Sequence, residues 1–530
     1  MKQLFGVFDL KTNEYSDFSE NVFSYENSDY KLNILGRAET DNEINCAEKI
    51  LDIFAKNPLL FTQKVFGVFI AIIYDKLNKK LFVFHDRSTS YVAMYYTQKN
   101  DIIYIGNSLK RVLYESKIER KLNEKSVEDF YINGFIFGEN TLVENVYKIK
   151  AFHCLRLSEG ELSQIKVEYP VKNMTKGEAL DIFKPTIDKA IEKCFEGEDE
   201  INLPLSSGYD SNYNAFIASE KTDLPINAFS IGGRRGKNEL PIVKNNVKYY
   251  KRMNLKSALT DEGTLKNFPD IVWRLEGAVY EVGLPLQYEL ANLVSGAGKK
   301  TLVCGEVADQ VMNYYYLQKD RIEPYTKGDC INYEFSEYPF IFGNYLILKK
   351  NGILANSFGI ETRYPYLDND LISVCYALRS ENMKDKRIHV ANCNECLPQP
   401  VLDNMKKIGG STDCHSLFAD KKEISSFIKS VKNCDFYRFH LEIINKNSYT
   451  IKVKLSGFSK LKNDLRNFVF NVLGINKSAR EQNHYFNEEM ELRECLSIAY
   501  LAIFEKLFIT GNFDFTKEEI DYKFEELFNL

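Results

Sequence analysis

The sequence predicts two dissimilar domains in series, an antiparallel α+β domain followed by an α/β domain built on a parallel sheet. With 530 residues the chain is too long for one ordinary hydrophobic core. Its first part contains short runs of aromatic and β-branched residues separated by turn residues, which is the pattern of antiparallel strands. After about Pro170, helices alternate with short apolar runs, and this alternation is typical of βαβ units.

Turn residues divide the first part into predicted strands. These strands lie at residues 3–9, 65–74, 80–85, 92–96 and 102–106. A helix is predicted at residues 47–54. A strand at residues 152–157 is expected to end this domain, because a Ser-Glu-Gly-Glu turn follows it. We therefore place the first domain at residues 1–170.

The second domain is predicted to alternate helices and buried strands. The predicted strands lie at residues 201–205, 226–231 and 301–304, and helices are expected at residues 176–194 and from Asn212. Ligands of parallel sheets bind beyond the carboxyl ends of the strands, so the segments after these strands are candidate site segments. We place this domain at residues 171–414, followed by a mainly helical extension at residues 415–530, which is rich in Lys, Glu, Phe and Leu.

Charge and hydropathy exclude several classes of partner. The chain has 69 basic and 74 acidic residues with a net charge of −5, mixed along the sequence, so we expect no nucleic acid and no anionic membrane as partner. The richest apolar run, residues 65–74, is too short to span a bilayer, and the N-terminus lacks the apolar run of a signal peptide. We expect a cytoplasmic protein that acts on a small molecule or a peptide.

Eleven cysteines in a long chain without a secretory signal indicate reduced thiols rather than a disulfide framework. Cys393 and Cys396 have the spacing of a zinc knuckle, and Cys414 and His415 follow, so a closed zinc site is one interpretation. A second pair at ligand spacing is missing, which favours ordinary thiols.

A polar loop follows the predicted strand at residues 201–205 and opens a helix, where a phosphate-binding loop is expected. The loop is Leu205-Ser206-Ser207-Gly208-Tyr209-Asp210-Ser211. Its small residues let backbone N–H groups approach phosphates, its serines add donors, and the helix N-terminus favours anions. Asp210 is expected to hold Mg²⁺, because a bare carboxylate would repel the polyanion. The alternative is a Ser-Gly turn that only caps the helix through Ser211 or Asp210.

The loop and the motifs after it resemble the asparagine synthetase family, which includes β-lactam synthetase and the lasso-peptide cyclases. The resemblance covers most of residues 1–412. The family's loop is Ser-Gly-Gly-x-Asp-Ser, and this chain has Ser207 at the first glycine. The resemblance implies an N-terminal-nucleophile type of first domain, an antiparallel β-sandwich flanked by helices. It also implies a synthetase domain of the adenine nucleotide alpha hydrolase type.

Two further segments follow in the family's order. Phe229-Ser230-Ile231-Gly232 is similar to the strand end whose backbone contacts adenine, and Cys304-Gly305-Glu306-Val307-Ala308-Asp309 is similar to Ser-Gly-Glu-Gly-x-Asp. The resemblance makes Asp309 a second Mg²⁺ ligand and Glu306 a catalytic acid/base or substrate-orienting group. The ATP-binding residues that it implies are Leu205, Ser206, Ser207, Gly208, Asp210, Ser211, Ser230, Ile231, Cys304 and Gly305.

The segment Gly359-Ile360-Glu361-Thr362-Arg363-Tyr364-Pro365-Tyr366-Leu367-Asp368 is similar to the family's Leu-Glu-x-Arg-x-Pro-Phe-Leu-Asp. Its polar residues serve either catalysis or a structural network of Glu361, Arg363 and Asp368. Lys406-Lys407-Ile408-Gly409-Gly410 resembles the stretch that carries the family's catalytic lysine. The alignment favours Lys406, with Lys407 as the second choice, and a solvated pair of lysines is the alternative.

The N-terminal domain resembles the family's glutamine amidotransferase domain, with Phe5-Gly6-Val7-Phe8-Asp9 at its first strand. In active members a Cys follows the initiator Met and attacks glutamine. This chain has Lys2 there, and Leu35-Gly36-Arg37 replaces the Asn-Gly substrate loop. Cys46 has no companion His motif. We therefore predict a degenerate domain that does not hydrolyse glutamine.

The predicted function is that of an ATP- and Mg²⁺-dependent ligase or cyclase that releases AMP. It would adenylate a carboxylate and join it to an amine on a peptide or specialised metabolite, as a homodimer or with a partner protein that delivers the substrate. Ammonia-dependent asparagine formation is an alternative, because asparagine synthetases have Glu at the position of Glu306. A decayed protein that only binds nucleotide or a partner is another, because Ser207, Cys304, Val307 and Gln310 depart from the family pattern.

Overall fold

The computed structural model describes most of the chain. The described residues are 2–40, 43–86, 92–136, 138–169, 171–233, 238–260, 264–312, 349–378, 386–405, 414–418, 420–442, 444, 491–524 and 526.

Antiparallel strands make up the N-terminal part, as predicted. They are β1 (Phe5–Asp9), β2 (Glu14–Asp17), β3 (Phe23–Glu26), β4 (Tyr30–Thr40), β5 (Glu43–Ile44), β6 (Phe66–Asp75), β7 (Lys80–His85), β8 (Tyr95–Lys99), β9 (Ile102–Gly106), β10 (Tyr147–Lys148), β11 (His153–Ser158) and β12 (Glu161–Lys166). One sheet has the order β10-β8-β9-β1-β2, and the other has the order β12-β11-β7-β6-β4-β3 with β5 beside β4.

The two antiparallel sheets face one another across a buried apolar layer. Phe8 and Ile103 of the first sheet share one cluster with Ile72, Val83 and Leu155 of the second sheet. Side chains alternate between the faces of a strand, so one face of each sheet supplies this layer. The N-terminal part is therefore a β-sandwich.

Parallel strands follow in the C-terminal part, also as predicted. They are β13 (Ile201–Pro204), β14 (Ile226–Gly232), β15 (Met253–Leu259), β16 (Thr301–Val303) and β17 (Glu361–Arg363). The pairs β13-β14, β14-β15 and β16-β17 are all parallel. Within each of these two sheets the carboxyl ends consequently point to one edge, and the candidate site segments follow these ends.

Helices cover the sheets and form the tail. They are α1 (Ala47–Lys56), α2 (Leu109–Ser116), α3 (Glu124–Asn133), α4 (Lys176–Lys193), α5 (Tyr209–Lys221), α6 (Leu240–Asn246), α7 (Phe268–Leu275), α8 (Leu284–Gly296), α9 (Ala308–Met312), α10 (Lys349–Ser357), α11 (Asn369–Ala377), α12 (Arg387–Cys396), α13 (Gln399–Asn404), α14 (Lys421–Asn433), α15 (Asp435–Phe439) and α16 (residues 491–504). Single 3₁₀ segments lie at Pro58–Gln63, Val247–Tyr249, Thr264–Asn267, Pro365–Leu367 and Cys414–Leu417, and a π-helical turn lies at Glu505–Thr510. None of the described helices is long and apolar enough to cross a membrane.

Several predicted boundaries differ from the observed ones. Residues 92–94 are buried but pair with no strand, and β8 begins only at Tyr95, because burial alone does not require a ladder. The helix after the phosphate loop begins at Tyr209 rather than at Asn212, so the loop is shorter than predicted. The long strand β4 was not predicted. It contains Gly36 at φ +92°, where β6 approaches so closely that a side chain would meet the Val68 carbonyl.

A buried carboxylate joins the N-terminal part to the C-terminal part. Glu276 follows α7 and adopts a left-handed conformation at φ +54°. Its carboxylate accepts hydrogen bonds from the Ser108 hydroxyl (2.8 Å) and the Leu109 N–H at the start of α2. Lys110 Nζ lies 3.7 Å from the same carboxylate, and both side chains are almost fully buried. Burial raises the pKa of Glu276 and lowers the pKa of Lys110, and the charge of each partner opposes the shift of the other.

The described part of the C-terminal tail packs against α3 and α7. Tyr500 of α16 stacks on Phe130 of α3, with ring centroids 5.2 Å apart. The Trp273 indole N–H donates to the Lys517 carbonyl at 3.1 Å, and Arg274 is paired with Asp270 at 2.6 Å. The described part of the tail therefore packs against both parts of the chain and belongs to their common core. The domain boundaries placed from sequence stay predictions.

We predict that Glu276→Ala lowers the free energy of unfolding by about 3–5 kcal/mol, because it leaves the Lys110 ammonium buried and unpaired. Urea unfolding of the purified protein measures the change. Glu220→Ala is the matched control, since Glu220 forms an exposed pair with Lys251 (2.9 Å) and should cost under about 1 kcal/mol. Equal losses in the two variants would contradict the role given to Glu276.

Candidate active site

The predicted phosphate loop lies at the carboxyl end of β13 and leads directly into α5. The Leu205 N–H donates to the Phe229 carbonyl at 2.8 Å, which extends the pairing with β14 by one residue. Gly208 is the N-cap of α5 and makes no side-chain cap, so the first N–H groups of the helix are left for another acceptor. The structure therefore has the strand, loop and helix order that the sequence predicted.

Internal acceptors occupy the N–H groups of this loop. The Ser206 N–H donates to Ser211 Oγ (3.1 Å), and the Gly208 N–H donates to Ser206 Oγ (3.2 Å). The Ser207 N–H donates to Glu239 Oε2 at 2.9 Å. A carboxylate oxygen on this N–H stands in for a phosphate oxygen, because both are anionic acceptors. The loop thus binds an anion in this structure, and the anion comes from the chain itself.

Two aspartates predicted as magnesium ligands meet at one ammonium. Lys386 Nζ lies 2.6 Å from Asp210 Oδ2 and 2.9 Å from Asp309 Oδ1. His389 Nε2 lies 3.2 Å from the other oxygen of Asp210. One cation thus reaches both carboxylates at once, so Asp210 and Asp309 are close enough to share a metal ion. Oxygen ligands of this kind suit Mg²⁺, which commonly takes one or two carboxylates together with phosphate oxygens.

Electrostatics keep Asp210 charged. Burial would raise the pKa of its carboxyl group, but the hydrogen bond from His389 and the charge of Lys386 outweigh burial and lower the pKa to about 2. Burial likewise opposes the charge on Lys386, yet Asp210 and Asp309 raise the pKa of its ammonium. Asp210 and Lys386 are therefore a pair of fixed opposite charges at neutral pH.

Sequence reasoning missed Lys386 and His389. Both lie at the start of α12, far along the chain from the loop, and Lys386 adopts a left-handed conformation at φ +56°. No motif of the sequence singles out these two residues, because they contact the loop only through the fold. Lys406 and Lys407, the residues predicted for catalysis, lie outside the described residues.

Glu306 follows β16 and lies in the same region. Its Oε1 accepts a hydrogen bond from Asn351 Nδ2 at 2.6 Å, while its buried Oε2 has no partner among the described residues. Asn351 Oδ1 is also buried without a donor. Burial raises the pKa of the Glu306 carboxyl group, and Lys350 partly opposes this effect. Two unpaired acceptors beside one another suit a ligand group that donates hydrogen bonds, such as an amine.

The remaining predicted ATP-binding residues line the same edge. Pro204 of β13 pairs with Phe229 of β14, so Leu205 and Ser230 follow at matching positions, with Ile231 next. Gly305 packs against the start of α5, where a side chain would come within 3.3 Å of the Ser211 N–H. Cys304 is buried, and its thiol pKa is raised by burial and by Glu306. The predicted segments therefore converge on one site.

The segment of residues 359–368 contacts the loop through Tyr366, whose hydroxyl donates to the Asp210 carbonyl at 3.2 Å, whereas its charged side chains are paired elsewhere. Arg363 contacts Glu361 at 3.3 Å and Glu198 at 2.5 Å. Asp368 does not join them. It pairs with Lys193 at 2.7 Å and caps α11 through its contacts with the backbone N–H groups of residues 370 and 371. The geometry supports the structural interpretation for these side chains, with Asp368 in a separate pair.

The residues considered for zinc do not form a cluster in the described part of the chain. Cys393 lies 3.7 Å from His389 Nε2, and Cys396 donates to Asn392. No group of three or more His, Cys, Asp or Glu side chains that could hold a metal occurs among the described residues. A metal at Asp210 and Asp309 would therefore need further ligands, which phosphate oxygens supply.

Two of the N-terminal residues that depart from the resembled amidotransferase pattern, Lys2 and Arg37, also have partners. Lys2 Nζ is paired with Glu361 Oε2 at 2.8 Å. Arg37 donates to the carbonyls of Glu196 and Lys193 at 3.2 Å each. Cys46 is the N-cap of α1, as expected from the predicted helix start, and its side chain caps no N–H group.

Comparison with protein families gives two matches in this chain. The family model for asparagine synthase matches residues 183–327, and the model for a glutamine amidotransferase domain matches residues 22–169. The glutamine-hydrolyzing asparagine synthetase 2 of Bacillus subtilis (strain 168) is 22% identical over 193 residues. That alignment covers 33% of this chain and 26% of the relative, so the chain matches about a quarter of its length.

Solved structures give weaker similarity. The glutamine phosphoribosylpyrophosphate amidotransferase from B. subtilis, complexed with ADP and GMP, is 8% identical with a TM-score of 0.20 and covers 57% of this chain and 75% of its own. An allosteric regulatory enzyme of purine biosynthesis is 7% identical with a TM-score of 0.19 and covers 77% and 78%. Scores this low add nothing to the fold described above.

We predict that Glu239→Gln strengthens binding of inorganic pyrophosphate about fivefold, because the variant removes a negative charge worth on the order of 1 kcal/mol beside the phosphate loop. Isothermal titration calorimetry measures the affinity. Glu220→Gln, on the exposed side of α5, is the control and should leave it unchanged. Weaker binding by Glu239→Gln would mean that Glu239 supports the loop rather than competing with the anion.

Proposed function

Because the chain belongs to the asparagine synthetase family, we propose that it is an ATP-dependent ligase or cyclase that joins a carboxylate to an amine and releases AMP and pyrophosphate. The substrate proposed is a peptide or a specialised metabolite that already carries its amine. The observation that carries this proposal is the convergence of the loop at Ser206 to Ser211 with Asp309 and Glu306 at one sheet edge, around Lys386.

ATP fits the arrangement of donors. The loop N–H groups and serine hydroxyls would bind the phosphates, in place of the Glu239 carboxylate that one of these N–H groups now holds. The backbone at Ser230 and Ile231 would contact the adenine. Asp210 and Asp309 would hold Mg²⁺ together with phosphate oxygens, and the ion would supply charge neutralisation on the leaving pyrophosphate.

Binding ATP with a metal requires Lys386 to change partners. Its ammonium now neutralises both aspartates, and a metal ion would take over that role. Lys386 would then face the phosphate oxygens, which are acceptors of the same charge as the carboxylates it leaves. Its backbone is fixed at the start of α12, so the ammonium would stay beside the reacting phosphates.

The chemistry proposed is adenylation followed by aminolysis. The substrate carboxylate attacks the α-phosphorus of ATP, pyrophosphate leaves, and the amine then displaces AMP from the acyl-adenylate. Glu306 is placed to accept the amine's proton, since its raised pKa makes it a stronger base than an ordinary carboxylate. Lys406 remains the residue proposed to stabilise the negative charge that develops in both steps.

The amine would not come from glutamine. Lys2 stands where the nucleophilic cysteine is expected, and its ammonium is already paired with Glu361. The proposal therefore favours an amine on the substrate. Ammonia-dependent asparagine formation is the second candidate. It is favoured by the acceptors of Glu306 and Asn351 that have no donor in the described part of the chain, since ammonia also donates hydrogen bonds.

The experiment that tests the function is incubation of purified protein with ATP, Mg²⁺ and candidate acids, followed by mass analysis for AMP and a dehydrated product. Aspartate with ammonium separates asparagine formation from ligation of a larger substrate. Glutamine alone should yield no ammonia. Binding of ATP without release of AMP across the candidate acids would favour a decayed nucleotide-binding protein.

We predict that Asp309→Asn abolishes AMP release while the protein stays folded, because Asp309 is the more exposed of the two aspartates, at 44% side-chain exposure. Asp210→Asn should also abolish release but should lower the unfolding temperature, since Asp210 is the more buried of the two partners of Lys386. Chromatographic measurement of AMP and thermal unfolding check the two effects. Near-normal turnover with unchanged Mg²⁺ dependence in either variant would contradict its ligand role.

We predict that Lys406→Ala binds ATP nearly normally but forms product at least about 10²-fold to 10³-fold more slowly, because it removes a charge aimed at a developing oxyanion. Lys407→Ala is the matched neighbour and should have a mild effect. Single-turnover product formation and ATP titration measure the two quantities. Reversed effects would transfer the role to Lys407, and full activity in both variants would exclude a lysine-assisted step at these positions.

A further inference from the structure

Lys2 crosses from the N-terminal β-sandwich to the synthetase part of the chain. Its ammonium lies 2.8 Å from Glu361 Oε2, across 359 residues of sequence. The Glu361 side chain is only 12% exposed, so this ion pair is largely shielded from water on the acceptor side. Partly buried pairs of this kind are screened less than surface pairs and hold their geometry better.

Glu361 is the first residue of β17 and also contacts a second cation, Arg363. Its other oxygen, Oε1, lies 3.3 Å from Arg363 Nε. Arg363 in turn contacts Glu198 at 2.5 Å and donates to the Cys194 carbonyl at 2.7 Å. Burial would raise the pKa of Glu361, but Lys2 and then Arg363 outweigh it and hold the pKa below its usual value. Lys2 is thus the outermost charge of an alternating network.

The network reaches the backbone of Cys304, two residues before Glu306. Strand β17 pairs in parallel with β16, with Thr301 opposite Glu361 and Val303 opposite Arg363. The Cys304 N–H then donates to the Arg363 carbonyl at 2.8 Å. Gly305 and Glu306 follow directly. The position of β17 therefore sets where the chain turns toward Glu306.

The cavity beside Lys2 does not offer free charge to a ligand. It has a volume of about 330 Å³, and its cationic lining residues are Lys2, Arg37 and Arg363. Lys2 is paired with Glu361, Arg363 with Glu198, and Arg37 with two backbone carbonyls. Cations that are already satisfied favour a structural role over the recognition of an anionic ligand.

We propose that Lys2 is a positioning residue for Glu306. Its ion pair with Glu361 holds β17 in place, β17 holds the backbone of Cys304, and the N-terminal domain thereby fixes the turn that carries Glu306. The consequence for catalysis rests on the proposed function, whereas the mechanical coupling does not. Lys2 lies where the resemblance implies a nucleophilic cysteine, and in this proposal it supports the synthetase site instead.

The test compares Lys2→Met with Lys2→Arg, which keeps the charge, and with Lys11→Met, which removes an exposed pair with Asp101 inside the N-terminal domain. Hydrogen exchange measured by mass spectrometry follows the Cys304 amide and the amides of β17. Lys2→Met should speed their exchange about fivefold, since a partly buried pair contributes on the order of 1 kcal/mol. Lys2→Arg should restore most of the protection, and Lys11→Met should leave it unchanged.

A double-mutant cycle with Glu361→Gln adds a second criterion. Lys2→Met in the Glu361→Gln background should cause no further change in exchange, because the partner is already gone. In AMP release, Lys2→Met should lower kcat about fivefold or more while the affinity for ATP stays the same, and Lys2→Arg should recover kcat.

The outcomes separate the two proposals. Unchanged exchange at Cys304 and β17 in Lys2→Met would overturn the coupling. Faster exchange with an unchanged kcat in an active protein would overturn the positioning role. If the unaltered protein releases no AMP with any candidate acid, the proposed function fails, and the exchange measurement and the cycle still decide whether Lys2 holds β17.

Discussion

The ion pairs of Lys386 with Asp210 and Asp309 hold the candidate site together. The three residues come from the starts of α5, α9 and α12, which are separate excursions of the chain from the parallel strands. Burial makes the charges of Lys386 and Asp210 costly alone, so the segments that carry these two residues are most stable when they meet. His389 reinforces the arrangement from the buried side of Asp210. The phosphate loop owes its position to this cluster, because Asp210 is also the second residue of α5.

The cost of burying unpaired charges also explains why charged groups of the candidate site are paired with one another. A site designed for a polyanion and a metal ion presents unpaired N–H groups and clustered carboxylates, and both are expensive to leave buried. In this structure a carboxylate from Glu239 and an ammonium from Lys386 take those positions. Under the proposed function, nucleotide and metal binding would exchange these two groups for partners of like charge, which would cost less reorganisation than opening an empty polar cavity.

The two parts of the chain are joined by charges as well as by a common apolar core. Glu276 reaches from the synthetase part to the start of α2, and Lys2 reaches from the sandwich to β17. The sandwich thus completes the core and contacts a strand that leads to the candidate site, and these contacts depend on burial and charge.

Local sequence signals determined the order of elements, the two kinds of sheet and the segments that line the candidate site. They could do so because hydrophobic periodicity, turn residues and a small polar loop are all properties of neighbouring residues. Strands β7 and β9 were predicted with their observed ends, whereas β4 was missed because a glycine in close contact with β6 interrupts its pattern. The partners of charged residues could not be predicted. Lys386, His389, Glu239 and Asn351 gained their roles from contacts between distant segments, and only the tertiary structure decides which buried charges meet.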